Sequence, residues 1–204
     1  MSVNVNAPFG LRHLGVSQGG AVSTYGPAYR KVAYNYGTPL YQGDVMVDLG
    51  NGYIGRYTSG IGGSNVVGVV NGFEYLSSSL GRKRVSNYLP TGDTAYDVEC
   101  SLIPILGVPP QLFVAQATST PFTVADIGQT LEPAVSASGT IIGGYGKSGM
   151  TFTQSGNEGT TNTYPFRIIG LWSDYGLSGT VGTDNTSNYN WIVVMSNPYD
   201  AAGV

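Results

Sequence analysis

Apolar residues along this chain fall in short runs broken every few positions by Gly, Pro, Asn and Ser, and no segment sustains the 3.6-residue period of an amphipathic helix. The runs 29–36 and 44–49 are punctuated by Gly37-Thr38-Pro39, Gln42-Gly43-Asp44 and Gly50-Asn51-Gly52, which is turn chemistry between strands. Within 44–49 the acids and the Val/Leu set take opposite faces in part. Asn51-Gly52 predicts a hairpin with a type I′ turn, because that turn needs positive φ at both central residues. The run 65–75 is rich in β-branched residues and predicts a buried strand, with Gly68 and Gly72 at bends or close backbone approaches. Further strands are expected at 94–102, 112–117, 140–143, 150–153, 166–172 and 190–195. One turn of helix competes at 123–128, where Thr123 is placed to cap the amide near Asp126 and Gly128 to end the turn.

Residues 1–24 mix Asn, Gly, Pro and Ser with isolated apolar positions and show no period, which reads as an extended arm. The remainder, 25–204, reads as a single β-rich domain with a loop insertion near 177–190. Many short strands with Gly/Pro turns predict an all-β fold, a β-barrel or β-sandwich with an extended N-terminal arm and little helix. A length of 204 residues is enough for one sizeable core and tight for two independent ones.

Composition changes the picture in one respect. Charged residues are only 10% of the chain while hydrophobic residues are 41%, so the polar surface must come from Ser, Thr, Asn, Gln and Tyr. Nine Lys and Arg against a net charge of −3 give no electrostatic footprint for nucleic acid or an anionic membrane, each of which needs clustered cations to displace counterions, so both are set aside as partners. Weak colloidal repulsion is tolerable in a protein that lives docked in an assembly. The start MSVNVNAPFGLRHLG lacks the cationic and apolar regions of a signal peptide, and no stretch reaches the roughly 18 apolar residues of a membrane span.

Candidate chemistry is sparse. Gly144-Tyr145-Gly146-Lys147-Ser148-Gly149 matches G-x-G-x-x-G, and its Gly-Lys-Ser resembles the end of a phosphate-binding loop. Ile141 stands where the loop's first Gly belongs, and the residues that follow are too rich in Thr, Gly, Ser and Asn for the required helix, so a Gly-rich turn is expected. His13, the sole histidine, lies in the arm, so Ser-His-acid or Cys-His catalysis would have to run through a flexible segment. Cys100 sits in an apolar run and reads as a small core residue. Asp93, Asp97 and Glu99 gather in one stretch, and the two-residue spacing of Asp97 and Glu99 would place them on one strand face, suited to acid/base work on a sugar or to Ca²⁺ but more ordinarily a solvated face. Arg82-Lys83-Arg84 reads as a solvated loop between strands, and in an assembly as a candidate interface for an acidic patch. The 15 Tyr and 2 Trp suit either a sugar-stacking platform or interface anchors. No catalytic residue, metal or cofactor is expected.

Taken in order, Asn6-Ala7-Pro8-Phe9-Gly10-Leu11, Val66 through Tyr75, Tyr88-Leu89-Pro90, Ala125-Asp126-Ile127-Gly128-Gln129, Gly146-Lys147-Ser148-Gly149-Met150, Phe166 through Leu171 and Asn190-Trp191-Ile192-Val193-Val194 resemble a tailed-phage head structural protein of the capsid decoration, or cement, family. The resemblance spans nearly the whole chain, and the Gly/Ser/Thr segment 177–190 departs from it. It implies a protein without catalysis, bound to the outer surface of the capsid in the virion. There it would clamp neighbouring subunits of the major capsid protein, as a homo-oligomer for which head geometry suggests a trimer. An extended, nearly uncharged arm can add a strand to a neighbour's open sheet edge. Asn4, Val5, Asn6, Pro8, Phe9, Leu11 and Arg12 are the expected capsid contacts of that arm, with Arg82, Lys83 and Arg84 as a second candidate interface. The alternative carried beside it is a carbohydrate- or receptor-binding virion appendage, and a carboxylate hydrolase built on Asp97 and Glu99 ranks behind both.

Overall fold

The computed structural model describes residues 4–16, 28–58, 65–105, 109–118, 120–135, 139–154, 158–159, 164–172 and 188–197. In chain order the strands are β1 (Arg12–Val16), β2 (Ala28–Val32), β3 (Leu40–Tyr41), β4 (Val45–Asp48), β5 (Ile54–Arg56), β6 (Val66–Ser77), β7 (Arg82–Ser86), β8 (Tyr88–Leu89) and β9 (Val98–Pro104). They continue with β10 (Gln111–Gln116), β11 (Thr130–Leu131), β12 (Pro133–Val135), β13 (Thr140–Ile142), β14 (Tyr145–Lys147), β15 (Met150–Phe152), β16 (Glu158–Gly159), β17 (Phe166–Leu171) and β18 (Trp191–Ser196). The fold is all-β and sandwich-like.

Two antiparallel sheets face each other. The first runs β1-β10-β18-β17-β11-β16, and the second β2-β9-β6-β4-β5 with β7 continuing along β6. Val45, Val47, Val66 and Val69 of the second sheet pack against Phe113, Phe166, Ile168, Ile192 and Val194 of the first, forming the inter-sheet core. A second core lies on the opposite face of the second sheet, where Met46, Val70, Phe73, Tyr75, Val98, Cys100 and Leu102 meet Val32, Leu40, Ile54 and Leu89. That sheet is rolled, so its outer strands β2 and β5 approach within 8 Å between Cα atoms. Each such side chain contributes roughly 1.5–3 kcal/mol on leaving water.

Serving two cores explains the sequence of the central strands. Val45, Met46 and Val47 are all buried, and Asp44 before them is buried too, so the acids of 44–49 part company: Asp44 is enclosed and only Asp48 is exposed. In β6 the register shifts between Val70 and Gly72, and this one-residue bulge resets the alternation so that Val70 and Phe73 both enter the second core. Gly68 is a close approach, since a Cβ there would sit 2.7 Å from the Ile103 carbonyl oxygen.

Two local expectations are corrected. The β4–β5 hairpin forms, but positive φ falls on Gly50 and Gly52 rather than on Asn51, whose side chain instead accepts from the Tyr53 amide at 3.2 Å. The 123–128 turn is a 3-10 helix over Val124–Asp126 in which the Asp126 carboxylate accepts from the Thr123 amide at 2.6 Å. The expected loop at 177–190 lies outside the described residues as far as 187.

The N-terminal segment also departs from a free arm. Residues 4–16 are extended but seated on their own domain: β1 pairs antiparallel with β10, and Leu11 is buried in the inter-sheet core. Upstream, the Gln116 amide donates to the Val5 carbonyl at 2.8 Å and accepts from the Ala7 amide at 3.1 Å. Phe9 packs edge-on against Trp191 at 5.1 Å, and the Arg12 guanidinium lies over Phe9 at 5.1 Å. An apolar residue at 11 and an open edge on β10 make docking in cis cheaper than leaving both in water.

Candidate docking surface

Of the acids that sequence offered for chemistry, Asp93 and Asp97 are committed to structure. Asp93 accepts from the Ser79 amide at 2.9 Å and from the Ser77 hydroxyl at 2.8 and 2.9 Å, tying down the β6–β7 turn. The Ser79 amide is the main reason its carboxyl is pulled down to about 2. Asp97 accepts from the Tyr34 amide at 2.8 Å and the Tyr53 hydroxyl at 2.9 Å, bridging the end of β2 to the start of β5 where the rolled sheet closes. The Tyr34 amide leads the hydrogen bonds that hold Asp97 below the usual carboxylate range, and the same pair pushes the Tyr53 phenol up. Glu99 sits within β9 on the exposed face, opposite Lys31 on one side and Glu74 on the other. Asp97 and Glu99 therefore answer to different neighbours and form no shared acid/base pair.

His13 is bound to Gln111, Nε2 to Oε1 at 2.9 Å, and leans on Phe113. Cys100 is fully buried, and burial pushes its thiol up. Arg82-Lys83-Arg84 is not a loop: it is β7 itself, recruited because the second half of β6 would otherwise lack a partner on that side. Lys83 pairs with Glu74, and charged side chains on this outer strand discourage edge-to-edge association. Among the described residues no cluster of three or more His, Cys, Asp or Glu is arranged to hold a metal ion.

One buried polar group was invisible in the sequence. Asp44 Oδ1 accepts from the Ser148 hydroxyl at 2.6 Å and faces Arg56 at 3.3 Å, while Oδ2 accepts from the Tyr41 amide at 2.9 Å. Burial raises the Asp44 pKa, with Arg56 opposing it. Ser148 is 104 positions from Asp44, so no local pattern announces the contact. Gly10 joins the same junction, with space for no side chain: a Cβ there would lie 2.6 Å from the Gly43 carbonyl oxygen and 2.8 Å from the Ser148 hydroxyl. The N-terminal segment, the β3–β4 turn and the strand pair β13–β14 thus converge on one fixed point.

From that point projects a hairpin. Gly143 and Gly144 have φ of 58° and 84°, the two positive values a type I′ turn requires between β13 and β14. This is the Gly-rich turn that the failed phosphate-loop motif predicted, with β14 as an unforeseen strand. Its base is rigid. The Asn87 side chain accepts from the Gly146 amide and donates to the Gly146 carbonyl, both at 3.2 Å, so it mimics a neighbouring strand. Gly146 presses on Tyr41 and Tyr88, and Gly139 on Tyr41, with no room for a Cβ at either. Its tip is apolar and open: Ile141, Ile142 and Tyr145 are 52%, 60% and 69% exposed. Three large apolar side chains on a fixed two-residue turn are well suited to entering a partner's pocket.

Between this hairpin and the N-terminal segment lies a cleft of about 440 Å³, whose walls include Phe9, Arg12, His13, Asn71, Tyr145 and Lys147. Of the expected arm contacts, Val5, Asn6 and Arg12 face outward, whereas Leu11 is buried and Phe9 is half-buried against Trp191. Searches against protein-family models, curated proteins and solved structures find no match to this chain.

Proposed function

We propose that this protein is a non-enzymatic decoration, or cement, protein that binds the outside of a tailed-phage head and clamps neighbouring major capsid subunits. The carrying observation is the hairpin tip, three exposed apolar side chains held on a base fixed by Asn87, Tyr41 and Tyr88. A rigid apolar anchor loses little conformational entropy on docking, which is what a small protein needs to adhere to a lattice. Support also comes from the commitment of Asp93 and Asp97 to hydrogen bonds that hold turns and close the rolled sheet. The resemblance along the chain supplies the head as the assembly. In this reading the N-terminal segment contributes through its outward side chains Val5, Asn6 and Arg12, and self-association into a trimer would multiply weak contacts by effective concentration.

The test is co-sedimentation of purified protein with heads that lack it, followed by heating the heads with and without it. Saturable binding with raised heat resistance is expected, and Ile142→Ser with Tyr145→Ser should abolish both while leaving the melting temperature of the free protein unchanged. Absence of binding by the parent protein refutes the reading.

A second reading, a glycan- or receptor-binding appendage, is favoured by one observation: exposed Tyr34 and Tyr96 lie beside the Asp97 carboxylate, so ring faces and an acceptor share one end of the rolled sheet. A glycan array silent for the folded protein removes it.

A further inference from the structure

The cleft beside the hairpin has a charge character opposite to that of the chain. The net charge is −3 with His13 neutral, yet among the described residues the walls carry Arg12 and Lys147, with His13 beside them, and no carboxylate. The ion pairs among the described residues, Asp44 with Arg56 and Lys83 with Glu74, use neither Arg12 nor Lys147. Asn71 and Gln42 add amide groups, and Tyr145 a hydroxyl, to the same hollow. A neighbouring hollow of about 430 Å³ shares Asn71 as a wall but is balanced, since its Glu74 pairs with Lys83 and its Glu99 faces Lys31 across the strands.

We infer that the cleft bounded by Arg12, Asn71 and Lys147 receives a short, extended, acidic peptide segment of the docking partner. Its carboxylates pair with Arg12 and Lys147, and its main chain meets the amides of Asn71 and Gln42. A volume of about 440 Å³ lies within the range of about 300–1,000 Å³ typical of ligand clefts, so a few residues enter rather than a domain. Backbone-directed amides with charge-directed ends favour a strand-like segment over a compact ion. The inference rests on the docking reading: the hairpin tip supplies apolar anchorage and the cleft beside it selects the sign of the partner's charge.

The experiment is fluorescence anisotropy with the full chain and a labelled hexaglutamate peptide, with hexaserine, hexalysine and inorganic phosphate as comparisons. Hexaglutamate should bind and hexaserine and hexalysine should not, and the affinity should fall at least about tenfold as the Debye length shrinks from about 30 to about 8 Å. Lys147→Glu and Asn71→Asp should each weaken binding by about tenfold or more while melting at the parent temperature. Equal binding of hexaserine, displacement of the peptide by millimolar phosphate, or charge variants that bind like the parent would overturn the assignment. The Ile141→Ser/Ile142→Ser protein, altered at two exposed tip residues outside the cleft walls, separates the two proposals: it should lose head binding and keep hexaglutamate binding. If hexaglutamate fails to bind while heads are still decorated, this inference falls alone. If the peptide binds and heads do not, the cement reading falls alone.

Discussion

Removing the Asn87 amide tests whether the hairpin is held as rigidly as its proposed docking role needs. Asn87→Ala deletes two hydrogen bonds to Gly146 at 3.2 Å each and leaves the amide and carbonyl of a buried residue without those partners. At about 1 kcal/mol per bond the loss is about 2 kcal/mol, rising towards about 4 kcal/mol if neither group reaches water. For a chain of this size 1 kcal/mol moves the melting temperature by roughly 2–4 °C, so a drop of at least about 4 °C is expected. Asn87→Asp keeps the acceptor for the Gly146 amide but sets a carboxylate oxygen against the Gly146 carbonyl, and should be no better than Asn87→Ala near neutral pH. Differential scanning calorimetry gives the global loss, and amide hydrogen exchange at residues 140–147 gives the local one. An Asn87→Ala protein that melts within a degree of the parent, with Gly146 still protected, would refute the reasoning, because the hairpin base would then be held by Tyr41 and Tyr88 packing alone.

Three further outcomes are expected. Asp93 and Asp97 titrate lower in the folded protein than in the unfolded chain, so the stability they contribute is present above about pH 4 and falls away in acid, for Asp93 as pH falls towards about 2; Asp93→Asn should flatten that acid limb in pH-dependent urea titrations. Phe152→Ala should cost about 3–5 kcal/mol in chemical denaturation, since the ring is fully buried against Phe166 at 5.6 Å and the hole cannot collapse freely. Cys100 should resist a thiol reagent in the native protein and react only at the rate of unfolding, because it is buried and its thiol is pushed up.

The sequence made some strands legible and concealed others for identifiable reasons. β6, β17 and β18 are β-branched runs buried by the cores, and the period and composition of such runs carry their own signal. β1 is Arg-His-Leu-Gly-Val with one strand neighbour, and β7 is Arg-Lys-Arg-Val-Ser on an outer edge; each owes its extension to a partner strand rather than to its own side chains. The docking surface was half visible. Gly143-Gly144 between Ile142 and Tyr145 signals a turn, but an apolar pair such as Ile141-Ile142 reads equally as core, and only the tertiary structure shows it exposed. Asp44, Arg56 and Ser148 carry no signature at all, because a contact across 104 positions is set by the fold and not by spacing.

The position of β18 has a consequence for biosynthesis. It is the last of the described strands in chain order, yet it lies between β10 and β17 in the interior of the first sheet. Until residues 191–196 emerge, β10 and β17 have no common neighbour, and Phe113, Phe166 and Ile168 lack the Ile192 and Val194 side chains that close the core over them. Folding of this sheet therefore waits on residues 191–196, and until they pair the chain carries unpaired edges that invite contact with other copies. A lesion within residues 191–196 is predicted to cost the whole sheet, not one strand, and chains stalled before them are predicted to depend on chaperones more than chains in which β18 has paired.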